Sequence, residues 1–174
     1  MIDLIINRMI DLMIDLTNKR FHTLIVKTST WPDEAATQAF AQNLATRPAL
    51  GHATLELHGD LGAGKTTFVR HLLKALGVAG RIKSPTYAVV EPYTLANLNI
   101  WHFDFYRFND PNEWEEAGFR EIFASPGLKL VEWPEKAGLH LPQADLRLAI
   151  EVLADDARVL TLSALTQTGE ALLA

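Results

Sequence analysis

Residues 59–67, Gly-Asp-Leu-Gly-Ala-Gly-Lys-Thr-Thr, have the types and spacing of a phosphate cradle. Residues 59–66 fit the pattern G-x-x-x-x-G-K-[ST], and Thr67 adds a second hydroxyl. Glycines let such a loop curl until successive backbone N–H groups converge on an anion. A helix beginning at the loop's end adds the positive pole of its dipole. In this chemistry Lys65 reaches the β- and γ-phosphates of a nucleotide, and the Thr66 hydroxyl holds a magnesium ion.

The cradle works only between a strand and a helix, so the flanking sequence must supply both. Residues 53–57 carry Leu55 and Leu57 between Gly51 and Gly59 and predict the strand. Glu56 and His58 make it more polar than a strand buried on both faces. Downstream, Phe68, Val69, Leu72, Leu73 and Leu76 repeat at helical spacing until Gly77 stops the helix.

Two apolar runs end in a carboxylate, residues 98–104 at Asp104 and residues 128–132 at Glu132. An acid at the carboxyl end of a strand near a phosphate loop binds the metal, directly or through water. Spacing alone leaves the two roles open, and Lys129 makes the second run the weaker buried strand. Residues 84–87, Ser-Pro-Thr-Tyr, form a hydroxyl-bearing loop one helix beyond the cradle, from which Thr86 can approach a γ-phosphate or its metal.

With 174 residues, 48% hydrophobic and 21% charged, the chain fits one globular domain. The absence of cysteine excludes disulfides and thiolate metal sites and suits a cytoplasmic setting. A formal net charge of −5 argues against a broad surface for DNA or RNA, so a nucleic-acid role must be local or go through a partner. Residues 1–20 repeat Ile-Asp-Leu and carry too many charges for a membrane span or signal peptide. They read as an N-terminal extension expected to be dispensable, ahead of a single domain over residues 21–174. Within that domain the pattern predicts a strand at 21–28 and a helix from about 31 to 46. Further on it predicts a loop at 47–52, a strand at 88–91 and a helix starting at 110–113 and interrupted at Gly118. Two terminal strands at 146–152 and 158–162 suggest an antiparallel edge.

Four segments fall together in order: residues 59–67, Lys83-Ser84-Pro85-Thr86-Tyr87, His102-Phe103-Asp104-Phe105-Tyr106-Arg107 and Val131-Glu132-Trp133-Pro134-Glu135. From about residue 31 to the C-terminus the chain resembles the TsaE family (also called YjeE), small ATPases of tRNA threonylcarbamoyladenosine synthesis. The resemblance implies a three-layer α/β P-loop NTPase fold whose central sheet is mostly parallel with antiparallel edge strands. It implies ATP and magnesium as cofactors, with Gly62, Ala63, Gly64, Lys65, Thr66 and Thr67 on the phosphates. Thr66 and Glu132 would ligand magnesium, and Asp104 would hold metal or water. Lys65, Asp104 and Glu132 are thus the expected catalytic residues. Thr86 falls in the counterpart of switch I of small GTPases and Trp133 in that of switch II. Asp33 and Ala157 align more loosely with nucleotide contacts outside the loop. The implied partners are TsaD and TsaB, which modify adenosine 37 of tRNA, so that tRNA is reached indirectly and neither membrane nor DNA is involved.

Rival readings are a nucleotide-gated binding module and a small-molecule kinase. The kinase would need an arginine-rich lid that the region after Glu132 lacks. No Asp-x-x-Gly follows the loop and no Asn-Lys-x-Asp is present, which disfavours a GTPase. No arginine finger is identifiable; Arg107 is the nearest candidate by motif, and a structural ion pair with a helix is its expected role.

Overall fold

Alternation along the strands decides the architecture, because residues two apart share a face of a sheet. The computed structural model describes residues 25–110 and 113–174. Its seven strands are β1 (Ile25–Trp31), β2 (Thr54–His58), β3 (Val90–Leu95), β4 (Leu98–Asp104), β5 (Leu128–Glu132), β6 (Leu146–Val152) and β7 (Arg158–Ala164). They form one sheet in the order β1-β7-β6-β2-β5-β4-β3. The four central strands β6, β2, β5 and β4 run parallel. Antiparallel pairings flank them on both sides, β3 on β4 and β7 on β6 with β1 beyond. The sheet is therefore mixed, with the expected antiparallel edge present at each end.

Among the described residues five α-helices accompany it: α1 (Glu34–Ala45), α2 (Lys65–Ala75), α3 (Glu113–Glu116), α4 (Phe119–Ala124) and α5 (Gln167–Leu173). Asp33 caps α1 by accepting from Ala36 N at 2.9 Å. One sheet face carries Leu55, Leu57, Ile100, Leu128, Leu130, Leu146 and Leu148, packed with Phe68, Val69, Leu72 and Leu73 of α2 and Leu44 of α1. The alternate residues Phe103 and Val131 point the other way, into a second cluster with Phe105, Phe108, Trp114 of α3 and Phe119 of α4. That aromatic cluster lies over β4 and β5. On β2 the same face presents Glu56 and His58, which explains the polarity of this strand. Glu56 meets His58 at 3.1 Å and Arg147 of β6 at 3.2 Å, and His58 lies 3.7 Å from Glu135.

Several local expectations are refined. Residues 48–52 of the expected loop form a 3-10 turn (Pro48–His52). The strand expected at 88–91 begins at Val90, because Val89 adopts a left-handed φ of 66° that no strand tolerates, and it runs on to Leu95. Pro92 is accommodated because β3 is an edge strand. Gly118 separates α3 from α4, as its position suggests. Helix α5, capped by Thr166, went unexpected. The expected extension at 1–20, the first part of the strand at 21–28 and residues 111 and 112 of the expected helix start lie outside the described residues. Among the described residues no helix is long and apolar enough to cross a membrane.

Candidate nucleotide-binding site

Strand β2 ends at His58, the loop occupies residues 59–64, and α2 begins at Lys65. The strand–loop–helix context that the motif requires is present. Gly59 has φ 134°, and a Cβ there would lie 2.3 Å from the Ile150 carbonyl oxygen of β6. Only glycine lets the loop pass so close to the neighbouring backbone. A Cβ built on Gly62 or Gly64 meets nothing within 4 Å, so the loop rims open space.

Lys65 is buried, and its Nζ donates to the carbonyls of Gly59 and Asp60, the latter at 2.9 Å. The Trp133 ring covers the ammonium, with its centroid 3.9 Å from Nζ. Burial pulls the Lys65 pKa below the usual lysine value, while Glu132, Glu135, Asp104 and Asp60 pull it back up. Among the described residues the ammonium has no ion-pair partner, only backbone oxygens. A desolvated cation of this kind, held at the mouth of a loop of N–H groups, fits a phosphate.

Thr66 Oγ1, in the first turn of α2, donates to both carboxylate oxygens of Glu132 at 3.0 Å. Glu132 ends β5, where parallel pairing sets Leu57 of β2 beside it on one side and Asp104 of β4 on the other. A hydroxyl and a carboxylate are hard oxygen donors of the kind magnesium takes, with its remaining positions left to water and phosphate. Among the described residues no group of three or more His, Asp or Glu could hold a metal unaided. The second oxygen-directed contact comes from β4, where the ring of His102 lies 2.8 Å from Glu132 Oε1 with no exposure to solvent.

Asp104 is occupied differently. Its Oδ2 accepts from Ser84 Oγ at 2.5 Å and from Thr86 Oγ1 at 2.6 Å, and its Oδ1 accepts from Tyr106 N at 3.0 Å. Val89, whose N donates to Pro85 O and whose O accepts from Asp104 N, ties the 84–89 loop to the same strand end. The hydroxyl loop is thereby fastened to a carboxylate.

A cleft of about 310 Å3 collects most of the expected site: Gly62, Gly64, Lys65, Thr66, Thr67, Thr86, Asp104, Glu132 and Trp133. Ser84, Leu61 and Tyr106 join its wall. Gly59 and Ala63 support the loop from outside this lining, Ala63 being buried. Asp33 and Ala157 do not line the cleft. Asp33 serves as the α1 cap, and Ala157 N donates to Asp155 Oδ1 at 3.2 Å in the turn before β7. Both stand at the loop's end of the sheet, since Trp31 pairs with Arg158 and β6 runs parallel to β2. Among the described residues the helix ion pair expected for Arg107 is absent; its guanidinium sits over the Tyr87 ring at 4.1 Å. His102, Ser84 and Tyr106 were missed as site residues. Their signal was adjacency, each lying two residues from Asp104 or Thr86 within the same short motifs.

Known proteins similar to this chain point to one family. A family model described as "Threonylcarbamoyl adenosine biosynthesis protein TsaE" matches residues 31–160. The tRNA threonylcarbamoyladenosine biosynthesis protein TsaE of Haemophilus influenzae is 47% identical over 114 residues, covering 66% of this chain and 72% of the relative. That of Bacillus subtilis is 40% identical over 110 residues, covering 63% and 68%. The crystal structure of Bacillus subtilis YdiB superposes with a TM-score of 0.72 at 30% identity, covering 87% of this chain and 94% of the other. A cradle closed over Lys65, a Thr66–Glu132 contact and a family match across both are features of one and the same stretch of chain, and the chain belongs to the TsaE family of tRNA threonylcarbamoyladenosine biosynthesis proteins.

Proposed function

We propose that this protein is a P-loop NTPase that binds ATP with magnesium and hydrolyses it in the cytoplasm. The work of hydrolysis would be to support threonylcarbamoylation of adenosine 37 in tRNA through a complex of TsaD and TsaB. The observation that carries the reading is the buried Lys65 ammonium, satisfied only by loop carbonyls and facing a cleft that also holds Thr66 and Glu132. On this reading Lys65 and the amides of residues 62–67 hold the phosphates. Thr66 and Glu132 hold magnesium, which neutralises charge developing on the phosphoryl oxygens. Trp133 lids Lys65 and excludes water from it. Asp104, released from Ser84 and Thr86 when the hydroxyl loop turns toward nucleotide, orients the attacking water. Asp33 and Ala157 take the nucleoside end. Among the described residues no arginine lines the cleft; on this reading a partner supplies any further cation, and turnover by the chain alone is slow.

The test is magnesium-dependent ATP turnover by the purified chain, with and without the TsaD–TsaB pair, with Lys65→Ala as control. Stimulation by the pair that the variant lacks supports the reading. Equal turnover alone and in the complex rules out partner-assisted hydrolysis. No stimulation and no complex in ATP remove the partnership. The fully occupied Asp104 carboxylate also suits a nucleotide-gated binding module, in which the loop switches without hydrolysis being the working step. Asp104→Asn separates the two. Retained ATP binding and docking with failed turnover and failed tRNA modification favours hydrolysis, whereas retained modification favours the module.

A further inference from the structure

Residues 61–90 contain no Asp or Glu, yet they hold Lys65, Arg70, Lys74, Arg81 and Lys83. All 21 acidic residues lie in the remaining chain. The net charge of −5 therefore hides a strongly segregated distribution. Lys65 is consumed in the nucleotide site. The other four cations converge on a separate groove of about 440 Å3, whose wall includes Thr66 and Ser84 and no carboxylate. Arg70 and Lys74 stand one turn apart on the same side of α2, and Arg81 and Lys83 face them from the following loop. Among the described residues none of the four has an ion pair, although exposed cations elsewhere on the molecule, such as Arg120 and Arg147, do. Because Thr66 and Ser84 also line the nucleotide cleft, the groove opens beside the end of that cleft where magnesium is placed.

We propose that this groove docks an acidic segment of a partner protein, a short run of Asp and Glu side chains seated between α2 and the 81–84 loop. A few carboxylates end within the groove and meet four unpaired cations there. An RNA backbone would continue past it onto the rest of the described surface, which carries exposed carboxylates such as Glu34, Glu91, Glu115, Glu116 and Glu121, where repulsion acts over roughly a Debye length of 8–10 Å. The location beside the magnesium end rests on the ATPase reading; the charge match does not.

The probe is a fluorescein-labelled peptide of repeated Glu-Asp-Ala, followed by anisotropy with the full chain and with Lys74→Glu/Arg81→Glu. Neither position belongs to the nucleotide machinery, and a thermal melt and ATP binding establish that the variant is folded. The expected result is binding by the wild type that weakens about tenfold or more in the variant and falls steeply as salt rises. Absence of binding by the wild type, or equal binding by the variant, overturns the proposal. So does tRNA that displaces the peptide and binds more tightly in a Lys74- and Arg81-dependent manner, which makes the groove a nucleic-acid site. Self-association lost in the variant overturns it too, by showing a second copy there. With the TsaD–TsaB pair, docking by the wild type and not by the variant supports the groove as the docking face. Docking by both overturns it there. Failure of the wild type to dock strikes the partner assignment, and the peptide result still decides the groove.

Discussion

His102 and Glu132 sit on adjacent parallel strands with the His102 ring nitrogen Nε2 2.8 Å from Glu132 Oε1, both side chains shut off from solvent. A carboxylate can only accept, so Nε2–H donates. Among the described residues His102 Nδ1 has no hydrogen-bond partner. The ring thus fixes the rotation of the carboxylate that Thr66 touches.

Replacing His102 with Leu leaves Glu132 buried and held by Thr66 without its second donor. The magnesium concentration needed for nucleotide-dependent turnover is expected to rise about tenfold or more. Nucleotide affinity without magnesium should change little. His102→Gln, which keeps a donor, should recover part of the loss. A magnesium titration monitored by nucleotide binding and by turnover checks both, and an unchanged requirement in His102→Leu refutes the positioning role.

Lys65→Met is expected to leave a folded protein with nucleotide affinity reduced by about tenfold to 100-fold, the worth of charge-assisted hydrogen bonds of roughly 1.5–3 kcal/mol. Since Lys65 Nζ lies 3.9 Å from the Trp133 ring centroid, nucleotide that draws the ammonium away should alter Trp133 emission in the wild type. The change should vanish in both Lys65→Met and Trp133→Phe. Emission that responds equally in all three proteins contradicts the contact.

Phe103 is fully buried between His102 and Asp104 in sequence but packs in the opposite layer, with ring centroids 5.2 Å from Phe119 and 5.0 Å from Phe123. Phe103→Ala should cost about 3–5 kcal/mol of stability. It should also lower turnover at temperatures where the protein is still folded, because the same strand carries Asp104. Denaturant unfolding paired with an activity assay separates the effects; full activity per folded molecule breaks the link.

Glu56 gives the pH dependence. Burial pushes its pKa up, but the hydrogen bond from His58 and the charges of Arg147 and His58 outweigh burial and hold it below 4.5. A carboxylate with a depressed folded pKa adds stability that is complete above its unfolded value. That stability is lost as pH falls through the folded one. Wild type should therefore melt above Glu56→Gln at neutral pH. The two curves should converge below about pH 4.5. Melting curves that stay parallel down the acid range contradict this.

Much of the site was legible because its chemistry is local. The loop of residues 59–67 must read in sequence as it works in space, and the acids at 104 and 132 end strands whose apolar runs announce them. What escaped was set by tertiary partners. Lys129 made β5 read as half-exposed, yet the whole strand is buried. Its ammonium donates to Ser125 O and lies 5.1 Å from the Trp101 ring centroid, and burial lowers its pKa. The contact of His102 with Glu132 escaped for the same reason, its partner lying thirty residues away. Helix α5 escaped because Gly169 sits inside it, where Thr166 Oγ1 accepts from Gly169 N at 3.2 Å. Val89 escaped because a β-branched residue is the last choice for a left-handed turn.

The close approach of Gly59 to Ile150 has unequal effects on its two sides. The atom it meets is a main-chain oxygen, which any residue at 150 supplies equally well. Position 150 can therefore drift among apolar residues without disturbing the turn, while position 59 has no acceptable substitute. One contact leaves one partner free to vary over generations and freezes the other.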